Sequence, residues 1–209
     1  MPVKLNEREY RSMTMAAGDE EYRVKGYATT FDDPYTLYED KDLVLKEIID
    51  RSALDEADMS DIIMQYDHEG RVFARVKNGT LQLTPDEHGL KVTANLGGTE
   101  IGRQLFEEIN GGYTNKMSFG FTVTGEKSQR SKDEDGNTVI LRTITKVGRL
   151  YDVSAVSLPA NDATEISSRN IGDGLIAEAL EEVRAEEERQ RRIGEIRKIL
   201  NQEDTNHDE

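Results

Sequence analysis

Lys116-Met117-Ser118-Phe119-Gly120-Phe121-Thr122-Val123-Thr124 alternates strictly between two kinds of side chain. Successive side chains of a strand point to opposite faces. Met117, Phe119, Phe121 and Val123 therefore form an apolar face fit for a core. Ser118, Gly120, Thr122 and Thr124 form a face of small groups. The Ser118 hydroxyl stands there with a glycine two places on, leaving room for an extended substrate. A strand serine is usually a solvent-facing residue, so its meaning depends on what other strands bring to it.

Working outward, the same period recurs along the chain. Arg23 to Phe31 reads as a strand ending in the turn Asp32-Asp33-Pro34, and Leu43 to Ile49 as another. Ser52 with Asp55 three places on suggests a capping box opening a short helix, Ala53 to Met59. Asp61 to Asp67 alternates again. Val72 to Val76, Leu81 to Thr84 and Leu90 to Leu96, separated by turn residues, predict an antiparallel meander. Thr99 to Asn110 switches to a helical stripe of Ile101, Leu105, Phe106 and Ile109, stopped by Gly111-Gly112. Polar Lys127 to Asn137 reads as a mobile hairpin tip leading to a strand at Val139 to Thr145, and Leu150 to Leu158 as the last strand. The first twenty residues show no sustained period. The expected fold is mainly β with flanking helices (α+β), a closed or strongly curled antiparallel β-barrel, plus a C-terminal helix.

Three units are expected: an N-terminal arm (1–21), a main domain (22–170) and a charged helical appendage with a disordered acidic end (171–209). The appendage carries 12 acidic and 6 basic side chains, a local net charge of −6. A solvated helix against the domain and a coiled-coil or partner-binding segment are equally compatible with it.

The 209 residues are 35 % hydrophobic and 33 % charged, with a formal net charge of −15. That balance argues against a nucleic-acid partner, whose phosphates need a cationic surface. With no cysteine there is no disulfide, thiolate nucleophile or Cys-type zinc site. No metal or other cofactor is expected. No apolar run resembles a signal peptide or a membrane span, so a soluble, intracellular protein is expected.

Of the three histidines, His207 falls in the tail and His88 in a turn; both read as surface residues. His68 follows an apolar strand and precedes Glu69-Gly70, where a side chain is fixed by the core yet reaches a groove. Asp152 sits in an apolar strand, aligned by simple alternation with Leu150, Ser154, Val156 and Leu158. A carboxylate there costs several kcal/mol in lost hydration unless it is paired. An edge strand with Asp152 facing water is the competing reading. Together Ser118, His68 and Asp152 offer a nucleophile, a base and an orienting acceptor. No G-x-S-x-G elbow, H-E-x-x-H helix or phosphate-cradling glycine loop is present. The residues permit a serine hydrolase without compelling one.

From about Tyr22 to Ser168 the chain resembles the prohead (capsid maturation) proteases of tailed bacteriophages, whose fold is similar to that of the herpesvirus assemblins. The resemblance is carried in order by Gly26-Tyr27-Ala28 with Phe31, Glu47-Ile48-Ile49, Tyr66-Asp67-His68, Leu81-Gln82-Leu83 with Gly89-Leu90, Met117-Ser118-Phe119-Gly120-Phe121, and Leu150 through Asn161. It implies Ser118 as nucleophile and His68 as general base. Asp152 would be the third member, where the family often has glutamate. By analogy, backbone N–H groups around Ala160 and Asn161 would be oxyanion-hole candidates. It further implies a serine endopeptidase acting inside the prohead in the bacterial host cytoplasm. The substrate would be the scaffolding segment of the major capsid protein or a separate scaffold protein, with self-cleavage following. The appendage would dock the enzyme to scaffold or capsid subunits, or associate with a second copy. The competing expectation is an inactive capsid-assembly or scaffolding protein of the same fold. A β-barrel binding module with no viral role would require the ordered landmarks to be coincidental.

Overall fold

The computed structural model describes residues 8–18, 21–157, 180–181, 183–186 and 188–197. Its strands are β1 (Arg8–Ala17), β2 (Arg23–Thr30), β3 (Tyr35–Glu39), β4 (Leu43–Ile49), β5 (Ile63–Tyr66), β6 (Glu69–Arg75), β7 (Leu81–Pro85), β8 (Gly89–Asn95), β9 (Lys116–Lys132) and β10 (Thr138–Val156). The α-helix α1 (Glu100–Asn110) and 3₁₀ turns at Arg51–Leu54 and Val76–Asn78 interrupt them. Residues 180–181, 183–186 and 188–197 are helical.

The strands form one sheet in the order β3-β4-β10-β9-β1-β2-β8-β7, with β5 paired to β10 and β6 to β5. The expected closed or strongly curled barrel is overturned: β3 and β7 end the path and do not pair, so the sheet is open. Closure requires the two terminal strands to hydrogen-bond, and alternation specifies a strand's face but not its neighbours. Nor is the sheet purely antiparallel. The long β10 runs parallel to β4 through its first half and parallel to β5 through its second. The expected meander is also broken, because β6 pairs with β5 while β7 pairs with β8.

Residues 8–17, where no period is visible, form a strand inside the sheet. Arg8 to Thr14 pairs with β9 and Met15 to Ala17 with β2. Polar Lys127 to Lys132 extends β9, so only Asp133 to Asn137 remains as the hairpin turn to β10. The segment after Ile49 makes a single 3₁₀ turn rather than the longer expected helix. Its cap is Asp50, whose carboxylate accepts from the Ser52 N–H at 2.9 Å.

The core gathers the apolar faces of β2, β8, β9 and β10 with Leu105 and Ile109 of α1. Phe119 and Phe121 stack at 4.6 Å between centroids. Thr99 caps α1 by accepting from the Gly102 N–H at 3.1 Å. After the helix, Gly112 takes φ +77°, a left-handed geometry that glycine adopts without steric cost.

Candidate active site

Three neighbouring strands build the site. Across the β9–β10 ladder Ser118 lies opposite Ser154, and Gly120 opposite Asp152. Directly paired side chains share a face, so these four residues stand together, backed by the buried row Met117, Phe119 and Phe121. Simple alternation would also have put Leu150 beside Asp152. A β-bulge between Leu150 and Asp152 prevents that. Leu150 pairs with Phe121 in the core, and the extra residue, Tyr151, turns Asp152 to the opposite face. The competing edge-strand placement is excluded, because β10 is flanked by β9 on one side and β5 on the other, and Asp152 is 2 % exposed.

His68 comes from the turn between β5 and β6. Asp67 and His68 both occupy the left-handed region, with φ of +48° and +62°, an uncommon geometry for non-glycine residues. Side-chain and backbone bonds to β10 hold it. The Asp67 N–H donates to the Ala155 carbonyl at 2.9 Å, and its carboxylate accepts from the Ser157 N–H and hydroxyl, each at 3.0 Å. So fixed, the turn brings His68 Nδ1 to 2.5 Å from Asp152 Oδ2. The Ser154 hydroxyl donates to the same carboxylate oxygen at 2.9 Å. An ionised carboxylate only accepts, so it holds the imidazole proton on Nδ1 and leaves Nε2 as the basic nitrogen.

β1, which carried no sequence signal, supplies the rest of the surroundings. The Tyr10 ring packs edge-on against the His68 ring at 4.3 Å. Arg8 Nη1 lies 3.9 Å from Asp152 Oδ1, and its guanidinium covers the Tyr151 ring. Ser12 is paired directly with Ser118. Gly120 is required here for space. A Cβ at that position would lie 2.6 Å from Asp152 Oδ1 and 2.9 Å from Tyr10 Cε1. Gly120→Ala should therefore displace the carboxylate or the ring. We expect about 1–3 kcal/mol of destabilisation from overpacking, read by thermal melting.

Of the sequence-derived residues, the structure brings His68 and Asp152 into contact and puts Ser118 on their face. It does not join Ser118 to His68: the Ser118 hydroxyl is buried and has no hydrogen-bond partner. The His68–Asp152 contact is made, and a Ser118–His68 bond is not. In unliganded sites such contacts commonly tighten only around substrate. Burial of the hydroxyl also means that an external group reaches it only after this face opens. Ala160 and Asn161 lie outside the described residues, as do His207, the tail 201–209 and the whole of 158–179. His88 is exposed, with its ring edge-on to Tyr27 at 4.6 Å.

A groove of about 540 Å³ opens between β6 and α1, lined by Tyr66, Phe73, Ile101 and Leu105 with Glu69 and Arg71 among the polar residues. Tyr66 and Glu69 flank the Asp67-His68 turn, so the groove begins beside the imidazole. Among the described residues no group of three or more His, Cys, Asp or Glu side chains is arranged to hold a metal ion. No described helix is long and apolar enough to cross a membrane.

A family model described as caudovirus prohead serine protease matches residues 7–175. No curated protein and no solved structure matches the chain.

Proposed function

The chain belongs to the caudovirus prohead serine protease family, and from that premise we propose that Ser118, His68 and Asp152 are its catalytic set. Membership makes it a serine peptidase of capsid maturation, acting within the prohead in the host cytoplasm and meeting capsid proteins there. The finer reading is an endopeptidase that cuts the scaffolding segment of the major capsid protein, or a separate scaffold protein, and then itself. The observation that carries it is the His68–Asp152 pair on the sheet face that also bears Ser118.

In this mechanism Ser118 Oγ adds to the scissile carbonyl carbon while its proton passes to His68 Nε2. The carbonyl π electrons move onto oxygen, and Asp152 stabilises the imidazolium that forms. Collapse of the tetrahedral intermediate breaks the C–N bond, and the imidazolium gives its proton to the departing amine. Water then repeats the sequence on the acyl-enzyme and frees Ser118. The backbone N–H groups of Ala160 and Asn161 are candidate donors to the oxyanion. The groove beside His68 has room for the side chains of a polypeptide.

Co-expression with the cognate capsid protein tests the reading. Wild type is expected to shorten the capsid subunit, and the new N-terminus identifies the cut. Ser118→Ala is expected to accumulate full-length forms of both proteins. Equal processing by the two would remove Ser118 from the mechanism, and no processing by either would favour an inactive assembly protein. A third arm lacking residues 171–209 asks whether the appendage docks the enzyme. Cleavage in solution should persist while incorporation into proheads is lost; normal incorporation would rule docking out.

A further inference from the structure

Ser118 has two cross-strand neighbours, and both are serines: Ser154 on β10 and Ser12 on β1. Their hydroxyls differ in one respect. Ser154 donates to Asp152, whereas Ser12 Oγ is buried with no hydrogen-bond partner. Leaving a buried hydroxyl unpaired costs about 1–3 kcal/mol, so an unpartnered donor beside a nucleophile calls for a ligand that completes it.

We propose that the Ser12 hydroxyl donates a hydrogen bond to the oxyanion formed when Ser118 attacks a peptide carbonyl. The inference rests on the serine-peptidase reading above and adds a residue to that site. The His68 imidazole is anchored through Asp152 on the β10 and β5 side of Ser118, with its ring edge against Tyr10, two residues along β1 from Ser12. Ser12 approaches from the opposite side, on β1. Attack needs this division, since the proton must leave on one side of the nucleophile while negative charge gathers on another atom of the same tetrahedral centre. Directly paired strand residues have Cβ atoms about 4.5–5.5 Å apart. Ser12 and Ser118 stand in such a pair without bonding to each other. Once this face opens to admit a carbonyl, that spacing puts Ser12 within reach of an oxygen bound at Ser118, where an effective donor lies about 2.7–3.1 Å away. Arg8, the cation that β1 places on this face, is turned to Asp152 and Tyr151. Ser12 undergoes no net proton transfer. It stabilises the charge on the way in and releases it on collapse, when the C–N bond breaks and His68 protonates the amine.

The test uses a peptide spanning the cut site found in the mature capsid subunit, together with the matching peptide boronate, which forms a tetrahedral adduct on the nucleophile. Ser12→Ala is expected to lower kcat by about 10²–10³ with KM little changed, and to weaken boronate binding in parallel. Ser12→Thr keeps the hydroxyl and suits a strand, so it should recover much of both. Unchanged kcat in Ser12→Ala would overturn the proposal. So would a loss of kcat with boronate affinity intact, because that marks a structural effect. Ser118→Ala separates the two claims. If it is inactive while Ser12→Ala is fully active, the peptidase reading stands and only this inference falls; if Ser118→Ala still cleaves, both fall.

Discussion

Ser118→Ala, His68→Ala and the double variant are expected to share one residual rate, about 10⁶-fold below wild type in kcat. A serine hydroxyl is a poor nucleophile without a base, and the base has no task without the hydroxyl. Once one is gone, removing the other costs little more. Asp152→Asn should be milder, about 10⁴-fold, as the corresponding change is in other triad hydrolases. The amide keeps the shape of the carboxylate but no longer holds the imidazole proton on Nδ1. It also loses the charge that balances an imidazolium. Single-turnover cleavage of the cut-site peptide measures all four variants. Additive losses in the double variant would mean that Ser118 and His68 act independently, and the catalytic set would have to be redrawn. An Asp152→Asn variant near wild-type rate would leave the 2.5 Å His68–Asp152 contact as packing alone.

What the sequence makes legible follows from which side chains each element buries. β9 is readable because Met117, Phe119, Phe121 and Val123 are at most 2 % exposed and alternate with small groups. α1 is readable because Leu105 and Ile109 recur at helical spacing between a threonine cap and two glycines. β1 is not, because the residues it buries include Glu9 and Arg11, so an apolar period never appears. That one strand hides Arg8, Tyr10 and Ser12, which complete the surroundings of the site. The Leu150–Asp152 bulge is equally invisible, since one extra residue flips a face without altering composition. Ser118, His68 and Asp152 can be singled out as chemically suitable types. Their convergence depends on β10 accepting β9 on one side and the short β5 on the other, a pairing that periodicity does not encode.

The charges that hide β1 also hold it in place, and Arg142→Met should expose their role. Arg142 is 1 % exposed on β10. It donates to Glu9 Oε1 and Oε2 at 2.8 and 2.6 Å, to Glu47 Oε2 at 2.8 Å and to Glu126. Arg11 bonds Glu47 Oε1 and Oε2 at 2.6 and 2.7 Å and Glu9 Oε2 at 2.7 Å, and the Tyr35 hydroxyl also donates to Glu47. Five strands, β1, β3, β4, β9 and β10, thus meet in one desolvated ionic cluster. Burial alone would raise the Glu47 carboxyl pKa, but Arg11 and then Arg142 outweigh it and hold the pKa below its ordinary 4.5. Burial, with the neighbouring Glu47 charge, pushes the Tyr35 phenol well above 10. A lowered acid stabilises the fold above its unfolded pKa and loses that contribution as pH falls through the folded one. A raised phenol stabilises below its unfolded pKa and loses that as pH rises. Wild-type stability should therefore be flat between about pH 5 and 9 and decline on either side. Removing Arg142 leaves Glu9 and Glu47 to Arg11 alone and takes from Glu126 its Arg142 bonds, which should cost about 3–5 kcal/mol, or roughly 6–20 °C in melting temperature for a chain of this length. The acid limb should then invert, because mild acidification neutralises carboxylates that have lost their partner. A variant that melts within a degree of wild type, or keeps the wild-type acid limb, would show that β1 is held by its ladder bonds to β9 rather than by this cluster.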